Sequence, residues 1–356
     1  MRLFLNRKRT MDNENSIYKL FEVTRVISET PDAKSFQLKP LHGAAISYEA
    51  GQFLTLVFRK GEKEDRRSYS FSSAPLLNEP IRITVKRIAN GEYSRQLLNH
   101  IKSGDVLLSS GVSGFFRLPE KSGAINQFAF LAAGSGITPV YSLLKTLLYT
   151  TKASIVLFYS NRSERETIFF KELIGLQKQF NEQLKIEFLF SHPDKQKRRL
   201  SKWVLNSLLN RYDIPLKQTL FYLCGPADYM LMAGISLITA GVPEQNIKKE
   251  SFNTRKHTIK PLPPDTGAHQ VKLSIDNSFY EFTVQYPDTI LSAAKKLSIH
   301  LPYSCEAGNC GSCTATCIKG KTWMAYNEVL TDEEIAKGKV LTCQGYPVEG
   351  DIEIEF

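Results

Sequence analysis

CEAGNCGSC, residues 305–313, spaces three cysteines as C-x4-C-x2-C, and a fourth cysteine, Cys343, lies thirty residues beyond the last of them. This spacing of Cys305, Cys310, Cys313 and Cys343 is typical of a plant-type 2Fe-2S cluster, in which one loop supplies three of the four thiolates. A structural zinc ion usually takes two short C-x2-C pairs, and only one such pair is present here. The sequence therefore predicts that these four cysteines bind a 2Fe-2S cluster.

Two glycines and a further cysteine bear on this prediction. Gly308 and Gly311 allow backbone conformations that bring amide N–H groups towards the cluster. Such donors raise a reduction potential because they stabilise the added charge. Cys317 follows the motif but has no place in the ligand spacing, and we expect it to be a small buried apolar residue.

Length and composition indicate a folded protein of two or three domains. The 356 residues are 42% hydrophobic, and no stretch approaches the roughly 18 consecutive apolar residues that a membrane helix needs. The basic N-terminus MRLFLNRKRT is a poor secretory signal, and a start at Met11, with residues 1–10 as an upstream extension, is an open alternative. Five of the six cysteines lie within residues 305–343, which favours metal ligation in a reducing compartment and so predicts a cytoplasmic protein.

The formal net charge of +10 is unevenly distributed along the chain. Residues 269–356 hold 7 Lys against 12 Asp and Glu, a net charge of −5, which leaves +15 on residues 1–268. The basic residues are scattered over predicted strands and helices without a recognition motif, so nucleic-acid binding is not expected. Two regions of opposite sign would attract each other or steer different partners.

Hydrophobic periodicity divides the chain into three folded segments and a linker. Residues 16–121 contain short apolar stretches such as FLTLVFR between turn residues, which predicts a small barrel interrupted by a short helix. Residues 122–255 alternate strands such as FAFLAAG with helices such as VYSLLKTLLYT, which predicts a parallel sheet covered on both faces. Residues 256–268 contain three prolines and are expected to form a semi-rigid linker. Residues 269–356 open with a predicted hairpin and close with the strand DIEIEF.

The first segment carries a series of short motifs. RSYS at 67–70 follows the FLTLVFR strand, and VKR at 85–87, GEYS at 91–94 and GVSGFF at 111–116 come after it. Taken in this order, they resemble the FAD-binding barrel of the ferredoxin–NADP reductase superfamily.

The resemblance implies a role for each flavin motif. Arg67 would bind the pyrophosphate of FAD, since guanidinium groups suit phosphate. Tyr69 would pack its ring against the isoalloxazine, and Ser70 would form a hydrogen bond near flavin N5. Ser94 would bind phosphate together with the free N–H groups of a helix N-terminus. The predicted FAD-binding set is completed by Val85, Lys86 and Gly91.

The second segment opens with the turn Gly134-x-Gly136-x-x-Pro139, between a predicted strand and a predicted helix. It has a proline where the Rossmann G-x-G-x-x-G pattern has its third glycine. In this respect the turn resembles that of the same superfamily. Proline fits a first helical turn, and the glycines let a pyrophosphate approach the backbone. Gly134, Gly136, Thr138 and Pro139 are therefore predicted to bind the nicotinamide cofactor, and a plain tight turn is the alternative.

Two later motifs extend the resemblance to the whole nicotinamide site. It implies that Ser160 and Arg162 meet the adenosine ribose, and that Cys224 and Gly225 lie beside the nicotinamide. Ser70 and Cys224 are the predicted catalytic residues. Arg162 would favour NADPH if it paired with a 2′-phosphate, but a surface arginine beside nearby glutamates would leave NADH equally open.

Glu250–Ser251–Phe252 resembles the closing motif of the same family. Phe252 is predicted to cover the edge of the isoalloxazine, and a phenylalanine of the protein core is the alternative.

The resemblance spans residues 16–356 in the order flavin, nicotinamide, ferredoxin. It implies a multidomain protein with an antiparallel β-barrel flavin domain, an α/β parallel-sheet nicotinamide domain and an α+β (β-grasp) ferredoxin domain. The implied cofactors are FAD, a 2Fe-2S cluster and NADPH or NADH as electron donor. This order, and the stretch LTDEEIAKGKVLTCQ at 330–344, are similar to the reductase subunits of the phenylacetyl-CoA epoxidase group.

The implied function is electron transfer from NAD(P)H through FAD and the cluster to a redox partner protein. A multicomponent oxygenase is the expected partner. A hybrid-cluster protein, a desaturase or a ferredoxin is an open alternative. A redox-sensing module without turnover is less consistent with a complete nicotinamide motif set.

Overall fold

The computed structural model of the protein consists of two compact units, Met1–Ser251 and Phe252–Phe356. Predictions concerning residues 1–10, the barrel boundaries at 16 and 121–122, and the first part of the linker lie outside the described residues. No helix of the described chain is long and apolar enough to cross a membrane. The structure describes residues 18–41, 46–61, 63–119, 126–191, 199–253, 261–275 and 277–356.

The first unit begins with the predicted antiparallel barrel. Its strand order is β4-β3-β6-β1-β2-β5, and a bridge between Phe71 and Ile83 joins the two ends of this order. Closure removes the free edges that an open sheet would expose. The core between the strands is filled by Phe21, Phe36 and Leu54, which are fully buried. The elements are β1 (Lys19–Thr30), β2 (Ala33–Pro40), β3 (Phe53–Lys60), β4 (Lys63–Ser70), β5 (Ile81–Lys86), α1 (Glu92–His100) and β6 (Val106–Ser113).

The unit continues with the predicted α/β domain, whose five strands are all parallel in the order β11-β10-β7-β8-β9. Nearly every residue of β7 and β10 is buried, as expected where helices cover both faces of a sheet. Because the strands are parallel, the segments that follow them leave from one edge of the sheet. The elements are β7 (Gln127–Ala133), α2 (Ile137–Thr150), β8 (Ser154–Asn161), α3 (Phe170–Gln179), β9 (Leu184–Phe190), α4 (Lys202–Arg211), β10 (Thr219–Cys224), α5 (Ala227–Thr239) and β11 (Ile247–Glu250).

The second unit has a mixed five-stranded sheet in the order β13-β12-β16-β14-β15, with β12 and β16 parallel. A short helix, α6, packs its buried residues Ile290, Leu291, Ala293 and Ala294 towards this domain core. The hairpin and the closing strand predicted from the sequence are both present. The elements are β12 (Ala268–Ile275), β13 (Ser278–Gln285), α6 (Ile290–Lys296), β14 (Thr314–Met324), α7 (Asp332–Ala336), β15 (Lys339–Leu341) and β16 (Gly345–Glu355).

The described end of the predicted linker is attached to the second unit. The Asp265 carboxylate accepts hydrogen bonds from the backbone N–H groups of Gly267 and Glu349, at 2.8 and 3.0 Å, and lies 2.8 Å from His269 Nε2. These contacts hold the chain against the domain just before β12 begins.

The RSYS motif follows the FLTLVFR strand, as predicted, and itself lies within the next strand. Residues 67–70 form the second half of β4, which pairs with β3 from Phe53↔Ser70 to Lys60↔Lys63. The stretch KEDRRSYS is almost entirely polar, so it carries no apolar alternation that would predict a strand. Pairing with the apolar β3 forms the strand instead.

Candidate functional site

The loop between α6 and β14 carries three of the predicted ligand cysteines, and the turn after β15 brings Cys343 to them, so that the four form two pairs. The sulfur atoms of Cys305 and Cys310 lie close enough to interact, and so do those of Cys313 and Cys343. Thr342 anchors the fourth ligand, because its backbone N–H and its hydroxyl both donate to the Cys313 carbonyl, at 3.1 and 3.0 Å. Two thiolates for each of two irons is the donor set of a 2Fe-2S cluster.

The zinc alternative finds no support in this arrangement. Among the described residues, no group of three or more His, Cys, Asp or Glu side chains surrounds a common point as the ligands of one ion would. The thiols form two adjoining pairs, which suits two metal atoms better than one tetrahedral centre.

The backbone of the loop is shaped to favour thiolates. Gly308 and Gly311 have φ angles of +77° and +72°, and a Cβ on Gly308 would lie 2.8 Å from the Tyr326 carbonyl oxygen. The pKa of Cys305 is lowered, first by the hydrogen bond from Cys310 and then by backbone N–H groups, including that of Ala307 at 3.4 Å. Thiolate is the form that binds metal, so the donor chemistry fits the cluster.

Cys317 is not the buried residue predicted from the sequence. It is half-buried on β14, and its sulfur lies 3.2 Å from the Lys319 carbonyl oxygen. The pairing of β14 with β16 shifts register between these two residues. Such an irregularity turns a side chain away from the strict inward and outward alternation of a strand.

The predicted flavin residues lie on β4, β5 and the start of α1. Arg67 and Tyr69 are half-buried on β4, and Val85 is buried on β5. The guanidinium of Arg67 lies 4.9 Å from the centroid of the Tyr93 ring, and its Nη1 donates to the Arg66 carbonyl at 2.6 Å. Arg67 thus lies on the barrel beside the start of α1, and its binding of the FAD pyrophosphate stays a prediction.

The Ser94 hydroxyl already has partners within the protein. It accepts a hydrogen bond from the Ile88 N–H at 3.1 Å and donates to the Gly91 carbonyl at 3.3 Å. These bonds shape the turn that precedes α1. The predicted phosphate binding therefore rests more on the free N–H groups of the first helical turn than on this hydroxyl.

The predicted nucleotide turn connects β7 to α2. Gly134 has a φ of +55°, and its carbonyl accepts a hydrogen bond from the Tyr159 hydroxyl at 2.9 Å. Pro139 is the third residue of α2, where a missing N–H leaves no helical bond unmade. Lys86 Nζ lies 3.8 Å from the position of a Cβ on Gly134, so the predicted flavin and nicotinamide residues meet here. The Thr138 hydroxyl donates to the Ser135 carbonyl at 3.0 Å, which closes the turn.

Gly136 lies against the end of β10. A Cβ at this position would be 2.0 Å from the Cys224 carbonyl oxygen and 2.9 Å from the Gly225 nitrogen. The two predicted nicotinamide motifs are thus in direct backbone contact. Only a glycine permits this approach.

Unpartnered polar atoms lie at the end of β8. The Ser160 hydroxyl oxygen and the Asn161 amide nitrogen are buried without a hydrogen-bond partner among the described residues. Buried polar groups are normally satisfied, so these atoms fit a site completed by a polar ligand such as a nucleotide. Arg162 is exposed and makes no described contact with the other predicted residues.

Glu250 is a site residue that the sequence interpretation did not assign. Its carboxylate accepts a hydrogen bond from the Ser70 hydroxyl at 3.4 Å, and it pairs with Cys224 across the neighbouring strands β11 and β10. It therefore joins the two predicted catalytic residues. An acid at the end of a short edge strand, directly before Ser-Phe, was the available signal, but its burial depends on the barrel packing against it.

Burial controls the charge of this trio. Glu250 is only 9% exposed, and burial raises its pKa to about 8, while the bond from Ser70 opposes the rise. Burial also raises the pKa of Cys224, with a further contribution from Glu250. Near neutral pH, Glu250 therefore holds a proton within reach of Ser70.

Replacing Glu250 by glutamine should remove a pH-dependent part of the stability. Because the folded pKa of about 8 lies above the ordinary value of 4.5, this contribution is complete below 4.5 and is lost as pH rises towards 8. Relative to that of the parent, the free energy of unfolding of the variant should rise by up to about 1.4 kcal/mol per pH unit across that window. Denaturant unfolding of the holoprotein at several pH values measures this.

The exposed Glu182 provides the control, as Glu182→Gln. That variant should follow the parent at every pH. If the free energy of unfolding depended on pH in the same way in the parent and in Glu250→Gln, Glu250 would be ionised in the folded protein.

Phe252 is the first residue of the second unit and is 42% exposed. The alternative that it is a core phenylalanine is therefore wrong. Its covering of a flavin edge stays a prediction.

Comparisons with known proteins match three domain families along the chain. Residues 20–118 match the oxidoreductase FAD-binding domain family, residues 130–234 the oxidoreductase NAD-binding domain family, and residues 273–348 the 2Fe-2S iron-sulfur cluster binding domain family. Over 347 residues the chain is 31% identical to a subunit of the 1,2-phenylacetyl-CoA epoxidase of Escherichia coli, with 94% of this chain and 96% of that protein covered.

Two further relatives extend the match over nearly the whole chain. The ferredoxin reductase component of 3-ketosteroid-9-alpha-monooxygenase from Rhodococcus rhodochrous is 29% identical over 348 residues, covering 95% of this chain and 96% of that protein. The structure of phthalate dioxygenase reductase aligns with a TM-score of 0.59 and 25% identity, covering 95% of this chain and 98% of that one. The chain belongs to the ferredoxin–NADP reductase family and is an NAD(P)H-dependent oxidoreductase that uses FAD and a C-terminal 2Fe-2S cluster.

Proposed function

We propose that this reductase delivers electrons to the oxygenase component of a multicomponent oxygenase. The observation that carries the proposal is that 94–95% of the chain matches proteins named as parts of an epoxidase and of a monooxygenase, with 96% of each of those proteins covered. Those two relatives belong to systems with different substrates, so we infer that the partner sets the substrate while the reductase supplies the electrons.

In the proposed function, the residues of this chain bind and orient the FAD and the nicotinamide nucleotide and hold a proton near the flavin. When bound, FAD accepts an electron pair from NAD(P)H, and the cluster carries electrons onward singly. Arg67, Tyr69 and the first turn of α1 would hold the FAD, and the turn at 134–139 would hold the nicotinamide nucleotide. If the protonated Glu250 donates to Ser70 instead of accepting from it, the Ser70 hydroxyl would be released to donate a hydrogen bond at the reacting edge of the flavin.

The choice of NADPH over NADH stays a prediction attached to Arg162. Its exposed guanidinium, at the end of the strand that carries Ser160, is free to meet a 2′-phosphate. Replacement by alanine should raise KM for NADPH and leave KM for NADH nearly unchanged.

The experiment that tests the proposal is electron transfer between purified components. Candidate oxygenase components, a hybrid-cluster protein, a desaturase and a ferredoxin are each mixed with the NADPH-reduced protein without oxygen. The proposal is supported if an oxygenase component is reduced fast and the other three acceptors are not. Preferred reduction of any of the other acceptors would replace it with the corresponding alternative.

We expect reduction of the partner to slow as salt is added. The C-terminal segment carries a net charge of −5, and α7 concentrates Asp332, Glu333 and Glu334, so the partner should present a basic docking surface. Raising ionic strength from about 0.05 M to about 0.5 M shortens the screening length and should lower the second-order rate about tenfold.

Flavin reduction by NADPH in the absence of partner is the control for general salt effects. A partner rate that stays flat over the same range of ionic strength would rule out electrostatic docking.

We also propose that the protein works in the cytoplasm. All six cysteines are unpaired, and the four cluster ligands must remain reduced before iron is inserted.

A further inference from the structure

The barrel segment that follows Ser70 is attached to helix α2 by side chains one helical turn apart. The Ser142 hydroxyl donates to the Ser73 carbonyl at 2.6 Å, and Lys145 Nζ donates to the Ser72 carbonyl at 3.2 Å. Lys145 also forms an ion pair with Glu79, at the end of the same segment. Ser70 is thus two residues from a point that is fixed to the helix of the nucleotide turn.

Lys145 is deeply buried for a lysine, at 3% exposure. Its ammonium group lies 4.4 Å from the centroid of the Tyr141 ring, and Glu79 in turn accepts from the Ala74 N–H at 2.8 Å. Burial lowers the pKa of Lys145 to about 8, and the bond to Glu79 opposes that fall. Lys145 therefore donates to the Ser72 carbonyl and to Glu79, and Glu79 also accepts from a backbone N–H of the barrel segment.

The side chain of Lys145 is buried and that of Glu79 is 30% exposed, so the ion pair contributes little net stability, because desolvation of the ammonium group offsets the attraction. The ion pair can instead fix the position of α2 relative to the barrel segment. Only one relative position of the two satisfies both charges and the Ser72 carbonyl. Apolar residues of similar volume would allow the helix to slide against the barrel. The presence of a charged pair at this contact therefore points to a requirement for register.

We propose that Lys145 and Glu79 form a clasp that sets the position of the nicotinamide-binding turn relative to the flavin-binding strand. Lys145 is eight residues after Ile137, which places the clasp about 12 Å along α2 from the turn. A small rotation at the clasp is transmitted by the rigid helix to Gly134 and Gly136. Misplacement of reacting groups by about 1 Å can slow a reaction about 100-fold.

Lys145 and Glu79 are positioning residues, because neither is placed among the residues that would touch a cofactor. The inference rests on the reductase activity, and it concerns one step of it, the approach of the nicotinamide to the flavin. Loss of the clasp should therefore affect the rate of flavin reduction more than the affinity for NADPH.

The test compares Lys145→Met with the double variant Lys145→Met, Glu79→Leu, both as holoprotein. The single variant leaves a carboxylate unpaired and could fail to fold, whereas the double variant removes both charges and should remain stable. In rapid anaerobic mixing with NADPH, we expect the double variant to lose most of the long-wavelength absorption that arises when a nicotinamide stacks on a flavin. Flavin reduction should slow about 10- to 100-fold while the Kd for NADP⁺ changes little.

Lys152→Met, an exposed position just beyond the end of α2, is the matched control and should behave like the parent. FAD content and cluster absorption should be unchanged in every variant. A double variant with parent-like stacking absorption and parent-like flavin reduction would overturn the proposal. If neither clasp variant holds FAD, Glu79→Asp keeps both charges with a shorter arm, and parent-like behaviour there would overturn it equally. A parent protein that neither NADPH nor NADH can reduce would instead refute the reductase activity.

Discussion

Cys343→Ala should abolish electron transfer to a partner while leaving flavin reduction by NADPH intact. Cys343 is 4% exposed and pairs with Cys313, so its removal takes one of two thiolates from one iron. Cys317 is not placed to replace it, since its sulfur contacts a backbone carbonyl on β14. Partner reduction should fall by more than about 1000-fold, because the exit for single electrons is lost.

An anaerobic NADPH titration separates the two cofactors. The parent should bleach with uptake of about three electrons, two at the flavin and one at the cluster, and the variant with about two. Cys317→Ala is the matched control and should retain the full parent spectrum. Retention of the cluster absorption in Cys343→Ala would exclude Cys343 as a ligand.

The proximity of the predicted cluster cysteines was predictable because three of the four are encoded locally. Three cysteines and two glycines lie within nine residues, and the structure places these cysteines together, while their ligation of the cluster stays a prediction. The strand–helix alternation of residues 122–255 was equally informative, because a parallel sheet leaves long apolar runs in the sequence. Periodicity and spacing are short-range features of the sequence, and they were sufficient to predict these parts of the fold.

What the sequence did not reveal depends on contacts between distant segments. Strand β4 is polar and exists because β3 pairs with it. Glu250 acquires its role only when Ser70, 180 residues earlier, lies 3.4 Å away. The partner of Lys145 is 66 residues distant, and nothing in VYSLLKTLLYT distinguishes this lysine from a solvent-exposed one. Such residues become recognisable only once the fold brings them together.

Gly136→Ala should disable the nicotinamide site while leaving the flavin and cluster bound. Gly136 has φ −60° and ψ −11°, a conformation that alanine adopts freely, so the backbone itself imposes no cost. The cost comes from the added Cβ, which would lie 2.0 Å from the Cys224 carbonyl oxygen and 2.4 Å from its carbon. Both are backbone atoms of a buried strand, so the turn itself must move away from β10.

That displacement separates the two motifs that are predicted to hold the nicotinamide nucleotide. Overpacking of this kind costs about 1–3 kcal/mol of folding free energy, and misplacement at a reacting centre costs about 100-fold in rate. We therefore expect kcat/KM for NADPH to fall by about two orders of magnitude with normal FAD content. Gly175→Ala is the matched control, because Gly175 lies within α3 and a Cβ added there would meet no atom within 4 Å. It should leave the rate unchanged and stabilise the helix by up to about 1 kcal/mol. Equal rates for the two variants would mean that the contact between Gly136 and Cys224 does not position the nucleotide.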